Sequence, residues 1–412
     1  MSAEFWMSAR RRVFGLLAIG SLTCGLSLTP PVTAQADESP SKAGDSEAKA
    51  DIYTVPEGTP AELMDYVDMI LSRKTAKAAD DRDLHTKKAY ASASKALDKI
   101  VASEKSGKRL LVEAVTKKIR LLQDMEKRGD ETAHKQLEQF ADRLAGDKRP
   151  LLSGFGHQIQ IELQWQAIAD NPDESTKADQ KKLLADTVAY AGSGDAEPEK
   201  IQLAMNVLQV LQYLAPTETA DAYEELAKVA AKSPNEQVAE FSEQFEGAAR
   251  RLRLPGHPIR IEGETLEGQK LDWDAYKGKV VLIDFWATWC PLCIREIPNI
   301  RKEYQQYHDR GFEVVAISLD EKMSTMKRFL ENEELPWINI VSSDAEKRGW
   351  SDPIAHHYGI MALPASILVG ADGKVVALNV RGPDLGRWLK KLIGPAGDEA
   401  EDAKKDAAGS SK

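Results

Sequence analysis

The sequence predicts two folded parts, an all-helical region followed by an α/β domain containing parallel strands. Three observations predict this. From residue 59 to 252, apolar residues recur at helical spacing. After Arg253 the pattern changes to short apolar runs bounded by Gly, Pro and Asp. Amphipathic stretches separate those runs, and strands alternating with helices build a layered α/β domain. A chain of 412 residues is too long for one ordinary core, so two domains with tails is the natural division.

Composition limits the function classes. Hydrophobic residues make up 42 % and charged residues 29 %, the balance of a soluble globular chain. Formal net charge is −10 and no long basic block occurs beyond the extreme N-terminus, so nucleic acid is not an expected partner.

Residues 1–36 have the pattern of an export signal. Arg10, Arg11 and Arg12 precede an apolar run over 13–28, which Pro30 and Pro31 end, and Ala34-Gln35-Ala36 offers a small-x-small cleavage site. The run is shorter than the roughly 20 residues that span a bilayer comfortably. It also carries Gly15, Gly20 and Gly25. A membrane tether follows only if the signal stays uncleaved. Arg11-Arg12-Val13-Phe14 resembles a twin-arginine signal faintly, and Ser21-Leu22-Thr23 before Cys24 makes a poor lipobox. The expected location is exported, in the periplasm or cell envelope. Residues 37–51 are small and polar, a flexible linker, and 395–412 have the same character and are expected to be disordered.

The helical domain is expected over 52–253. Thr59-Pro60-Ala61-Glu62 is a capping box with proline at the first helical position. Helical periodicity follows near 84–101, 109–127, 132–144, 159–169, 180–191, 199–214, 220–231 and 234–252, and Ser233-Pro234-Asn235-Glu236 repeats the capping pattern. Short breakers between helices suggest helical hairpins, either a solenoid-like repeat or a plain bundle. The second domain is expected over 254–394. Its strands fall at 258–261, 279–286, 312–319, 337–341, 366–369 and 375–379, and its helices at 296–309, 323–332 and 385–392.

The sharpest motif is Trp289-Cys290-Pro291-Leu292-Cys293, placed between an apolar strand and a helix. The chain has three cysteines, and signal cleavage removes Cys24. A cross-link between residues so close in sequence restrains little of the unfolded chain, so redox chemistry explains the pair better than a structural staple. A cysteine at a helix start meets unpaired N–H groups and the positive end of the dipole, which favour the thiolate. Cys290 is therefore the expected attacking residue, and Cys293, one turn further in, the less exposed resolving residue. A zinc half-site is the weaker alternative, since no second Cys-x-x-Cys exists. His356-His357 is likewise a poor metal pair, because adjacent helical side chains do not share a face. No metal and no cofactor are expected.

At these residues the chain resembles the thioredoxin superfamily. Asp284-Phe285-Trp286-Ala287-Thr288-Trp289-Cys290 is similar to the strand that enters the active site there. The resemblance places Asp284 on that family's buried aspartate, which assists proton transfer at the second cysteine. Burial raises a carboxyl pKa and suits it to that task. Pro298 matches the helix-kinking proline, and Tyr358-Gly359-Ile360-Met361-Ala362-Leu363-Pro364 matches the segment ending in a cis-proline. Beside a cis Pro364, Leu363 would present its backbone to an extended substrate, with Trp289 at the active-site rim. The finer resemblance is to TlpA/ResA-type proteins, exported relatives of thioredoxin. It rests on the 263–279 lead-in, Arg295-Glu296-Ile297-Pro298, the 314–320 strand, the extra helix and strand over 323–341, and Ala371-Asp372-Gly373-Lys374. It covers about 256–394. Glu296 aligns with an acidic residue near the active site of such proteins, and is equally explained as a first-turn glutamate favoured by the helix dipole. Pro291-Leu292 departs from the dipeptides usual between these cysteines.

The resemblance implies a thioredoxin-like fold and a protein-disulfide oxidoreductase. Its partners would be disulfide-containing protein substrates and an upstream thiol/disulfide electron donor. Two alternatives differ in class. A peroxiredoxin-like antioxidant needs Pro and Thr where this chain has Ile283 and Ala287. A partner-binding helical scaffold would make the second domain a redox-sensing accessory.

Overall fold

Thr59 starts the first helix as expected: its side chain accepts the Glu62 N–H, and Glu62 accepts the Thr59 N–H at 2.7 Å. The computed structural model describes residues 51–73, 79–172 and 174–395, with side chains from 82 onward in the second segment. The export signal, Cys24, nearly all of the linker and the polar C-terminal tail lie outside the described residues.

The chain divides into two compact units, Met1–Ser175 and Thr176–Lys412. The first is helical: α1 (Pro60–Ser72), α2 (Ala79–Ala102), α3 (Lys108–Lys127), α4 (Ala133–Ala145) and α5 (Pro150–Asp170). Each helix packs on the next. Val67, Ile70, Leu97, Ile100, Leu122 and Phe140 fill the core between them. Such apolar stripes give helices this short their stability.

The second unit begins with further helices: α6 (Lys177–Ala191), α7 (Pro198–Leu211), α8 (Pro216–Ala231), the single turn α9 (Glu236–Ala239) and α10 (Phe241–Leu252). The helix expected over 234–252 is thus broken. Asn235, not Ser233, caps α9 by accepting the Gln237 and Val238 N–H groups. The sheet follows, with β1 (Val280–Trp286), helix α11 (Pro291–Tyr307), β2 (Phe312–Ser318), α12 (Met323–Glu333), β3 (Ile338–Ile340), the short α13 (Pro353–His357), β4 (Ala365–Val369), β5 (Val375–Leu378) and α14 (Pro383–Ile393). Strand order is β3-β2-β1-β4-β5. β1, β2 and β3 run parallel, while β4 pairs antiparallel with β1 and with β5. This mixed sheet, with α11 packed on β2 and α14 on β1, is thioredoxin-like. β1 is central and its residues are buried, Asp284 partly so, which explains its nearly unbroken apolar run. The strand expected over 258–261 does not form. Pro255 and Pro258 make only isolated bridges to Val375 and Lys374.

The helices of the second unit meet the sheet-containing part backbone to backbone. A Cβ on Gly359 would lie 2.1 Å from the Ala248 nitrogen of α10, and one on Gly247 would lie 2.6 Å from the Gly359 nitrogen. Gly359 also has φ +55, a conformation that costs a side chain dearly. Arg251 of α10 donates from Nε to the Tyr358 carbonyl at 3.1 Å. Gly359→Ala is therefore expected to destabilise the folded chain by about 3 kcal/mol, measured by urea unfolding. A loss below about 1 kcal/mol would mean that this seam gives way easily.

Candidate redox site

Strand β1 delivers the chain into the turn Ala287–Thr288–Trp289 and then into α11. Asp320, just past β2 and 2 % exposed, sets that turn. Its carboxylate accepts the Thr288 N–H at 3.0 Å and the Thr288 hydroxyl at 2.5 Å, and the Ser318 hydroxyl donates to it at 2.8 Å. Pro291 occupies the first helical position, where the missing N–H costs nothing. Helix α11 consequently starts five residues earlier than the periodicity after Glu296 suggests.

Cys290 is the N-cap of α11. Its Sγ accepts the Cys293 N–H at 3.1 Å, the place an oxygen usually takes in a helix cap. The two cysteines form a disulfide with Cα atoms 5.3 Å apart. Cys290 is 5 % exposed and Cys293 3 %. Both residues are thus covered in the disulfide form, and Cys293 is the less exposed of the two by only a small margin. Around the disulfide the surface is apolar: Trp289 is 51 % exposed, Leu292 is 45 % exposed, and Trp289 packs on Trp350 with ring centroids 5.9 Å apart.

Asp284 lies between Ala316 of β2 and Ser366 of β4. Burial of its carboxyl group pushes the pKa up to about 7, with the Arg381 guanidinium opposing the shift and the Glu296 charge adding to it. Glu296 is neither a merely solvated first-turn residue nor isolated. Its Oε1 accepts the Gly382 N–H and the Asn299 side-chain N–H, each at 2.7 Å, and so ties α11 to the start of α14. The Leu363–Pro364 peptide is cis. Leu363 is half-buried, and the Pro364 carbonyl accepts a hydrogen bond from Arg381 Nη2.

The fold thus gathers Asp284, Glu296 and Pro364 around Arg381, and sets the cysteine pair beside Trp289. Sequence reasoning missed Arg381 and Asp320. Asp320 stood inside a quoted strand motif, with Ser318 two residues before it as the available signal. Arg381 carries no local signal, since its partners lie far away in sequence. Ile283 and Ala287, where peroxide chemistry needs Pro and Thr, are fully buried core residues. Among the described residues no cluster of His, Cys, Asp or Glu could hold a metal ion, and no helix is long and apolar enough to cross a membrane.

The Redoxin family profile matches residues 253–386. Thiol-disulfide oxidoreductase ResA of Bacillus thuringiensis subsp. konkukian is 33 % identical over 131 residues, covering 31 % of this chain and 71 % of that protein. The ResA of Halalkalibacterium halodurans is 31 % identical over 119 residues, covering 29 % and 64 %. Among solved structures, the thioredoxin domain of a Bacteroides vulgatus thiol-disulfide oxidoreductase is 30 % identical over 34 % of this chain and 97 % of its own, with a TM-score of 0.31. With a third of the aligned residues identical over more than two thirds of the Bacillus thuringiensis relative, the chain belongs to the ResA family and is a thiol–disulfide oxidoreductase.

Proposed function

We propose that this enzyme is exported to the periplasm or cell envelope and reduces disulfides of protein substrates through a mixed disulfide. The observation that carries the reading is the seat of Cys290 Sγ at the N-cap of α11, accepting the Cys293 N–H. In the reduced form that donor and the helix dipole favour a thiolate at Cys290. The thiolate attacks one substrate sulfur, the substrate S–S bond breaks, and the other substrate sulfur leaves as a thiolate that takes up a proton. Cys293, deprotonated, then attacks Cys290 Sγ. The Cys290–Cys293 bond forms, the mixed disulfide breaks, and the second substrate thiol departs. Two electrons have passed to the substrate. Asp284, with a pKa near neutrality, is the base that takes the Cys293 proton. The backbone at Leu363–Pro364 pairs with the substrate segment, the exposed Trp289 rim receives it, and Glu296 tunes Asp284. An upstream thiol donor restores the dithiol.

Removing the resolving thiol tests this. Full-length Cys293→Ala, expressed with its signal, is expected to accumulate as adducts with envelope proteins that thiol reductants release. The Cys290→Ala/Cys293→Ala chain should form none. N-terminal sequencing of the exported protein is expected to begin at Asp37. Equal adduct formation by the double variant, or none by the single one, would refute the mixed-disulfide route.

A further inference from the structure

Behind the loop that leads into Pro364, the second unit holds a cavity of about 50 Å³. Gln212, Tyr223, Arg251 and Arg381 are among its walls, so among the described residues two guanidinium groups line it and no carboxylate does. Arg251 is only 6 % exposed. Its hydrogen-bond acceptors are both neutral: the Tyr358 carbonyl at 3.1 Å and Gln212 Oε1 at 3.3 Å. A buried cation with neutral partners leaves its charge uncompensated in a medium of low dielectric. Tyr223 is completely buried, and its hydroxyl has no hydrogen-bond partner among the described residues. Arg381 Nε, also buried, has none either. Buried polar groups are almost always satisfied, so orphaned groups on one small cavity point to an occupant.

The chemistry of the walls selects that occupant. Arg381 Nε and the Arg251 guanidinium can only donate, and the Tyr223 hydroxyl, kept protonated by burial, can donate as well. Water would satisfy donors but would leave the charge of Arg251 unanswered. A monovalent anion does both. The volume suits one ion of modest size, since a single water occupies about 30 Å³ of liquid. We propose that this cavity binds one small monovalent inorganic anion, of chloride's size, between Arg251, Arg381 and Tyr223. The site would bridge helices α8 and α10 and the segment after β5. Arg381 also favours the ionised form of Asp284, so an anion beside it would offset that influence and favour the protonated form.

The test uses the full-length oxidised protein in sodium chloride against sodium gluconate at constant ionic strength, because gluconate is too large to enter. The thermal midpoint is expected to rise with chloride and to saturate. Arg251→Met should remove the chloride dependence. Tyr223→Phe, which deletes only a hydroxyl, covers the case in which Arg251→Met does not fold, and should raise the half-saturating chloride concentration about tenfold. Crystals soaked in sodium bromide should show anomalous density within hydrogen-bonding distance of both guanidinium groups. Identical midpoints in the two salts, a chloride effect unchanged in the variants, or ordered water with no bromide in the cavity would each overturn the proposal.

Discussion

Cys290→Ser is expected to leave no measurable turnover of protein disulfides, while the fold survives. Serine is among the best N-cap residues, so the hydroxyl can accept the Cys293 N–H in place of the sulfur, and α11 keeps its start. The nucleophile is nonetheless gone. A thiol reaches its anion near neutral pH under the influence of a helix start, whereas an aliphatic hydroxyl does not, and thiol–disulfide exchange requires the anion. The remaining Cys293 is 3 % exposed and has little access to an external disulfide. Stability should be compared with the reduced wild type, so that loss of the cross-link is not counted against the variant. Insulin-disulfide reduction and circular dichroism check the two halves of the result. Substantial activity in a folded Cys290→Ser chain would move the chemistry to another residue.

Asp284→Asn is expected to produce two opposite effects. Catalytically, loss of a positioned base costs about 10²-fold or more in the step it serves. The fall should appear in the release of substrate from the mixed disulfide, and the wild-type rate inflection near pH 7 should disappear with it. Thermodynamically, the same change should stabilise the protein in alkaline solution. The Asp284 carboxyl is raised from 3.8 to about 7 on folding. Between these values the folded chain holds a proton that the unfolded chain has released. Stability therefore falls as pH rises through this window, and the cost of burying the carboxylate is complete above it. Asparagine has no proton to lose. The variant should exceed wild type by about 4 kcal/mol at pH 8, with the gap closing toward pH 4. Urea unfolding at the two pH values measures the gap, and rapid-mixing kinetics with a protein disulfide measures the rate. Parallel stability curves for variant and wild type would show that the carboxyl is not the titrating group.

Much of the redox domain was legible because its signals are local. The apolar run at 280–286, the Cys-x-x-Cys spacing and the matched cis-proline segment each lie within a few residues. Reading failed where partners are distant or where caps overrule periodicity. Helix α11 begins at Pro291 because a cysteine caps it and a proline opens it, which a search for apolar spacing overlooks. Helix α5 extends over Pro150–Asp170, but Gly154, Gly156 and His157 dilute its stripe, so only its second half was recognisable. Arg381 acts on Pro364, 17 residues away, and on Asp284 across the sheet. Asp320 holds Thr288 from 32 residues further on. The covering of Cys290 was illegible for the same reason, since it comes from tertiary packing rather than from the motif.

The glycine-to-glycine seam between α10 and the approach to Pro364 bears on how this enzyme can be dissected. Where the hydrophobic period switches, after Arg253, looks like a hinge between modules. Cutting there would strip α10 from residues whose backbones it touches and would bare the buried Arg251 contacts. A cut that keeps these contacts falls near Thr176, where the second compact unit begins, so the helices up to Leu252 belong on the same piece as the Cys290–Cys293 domain.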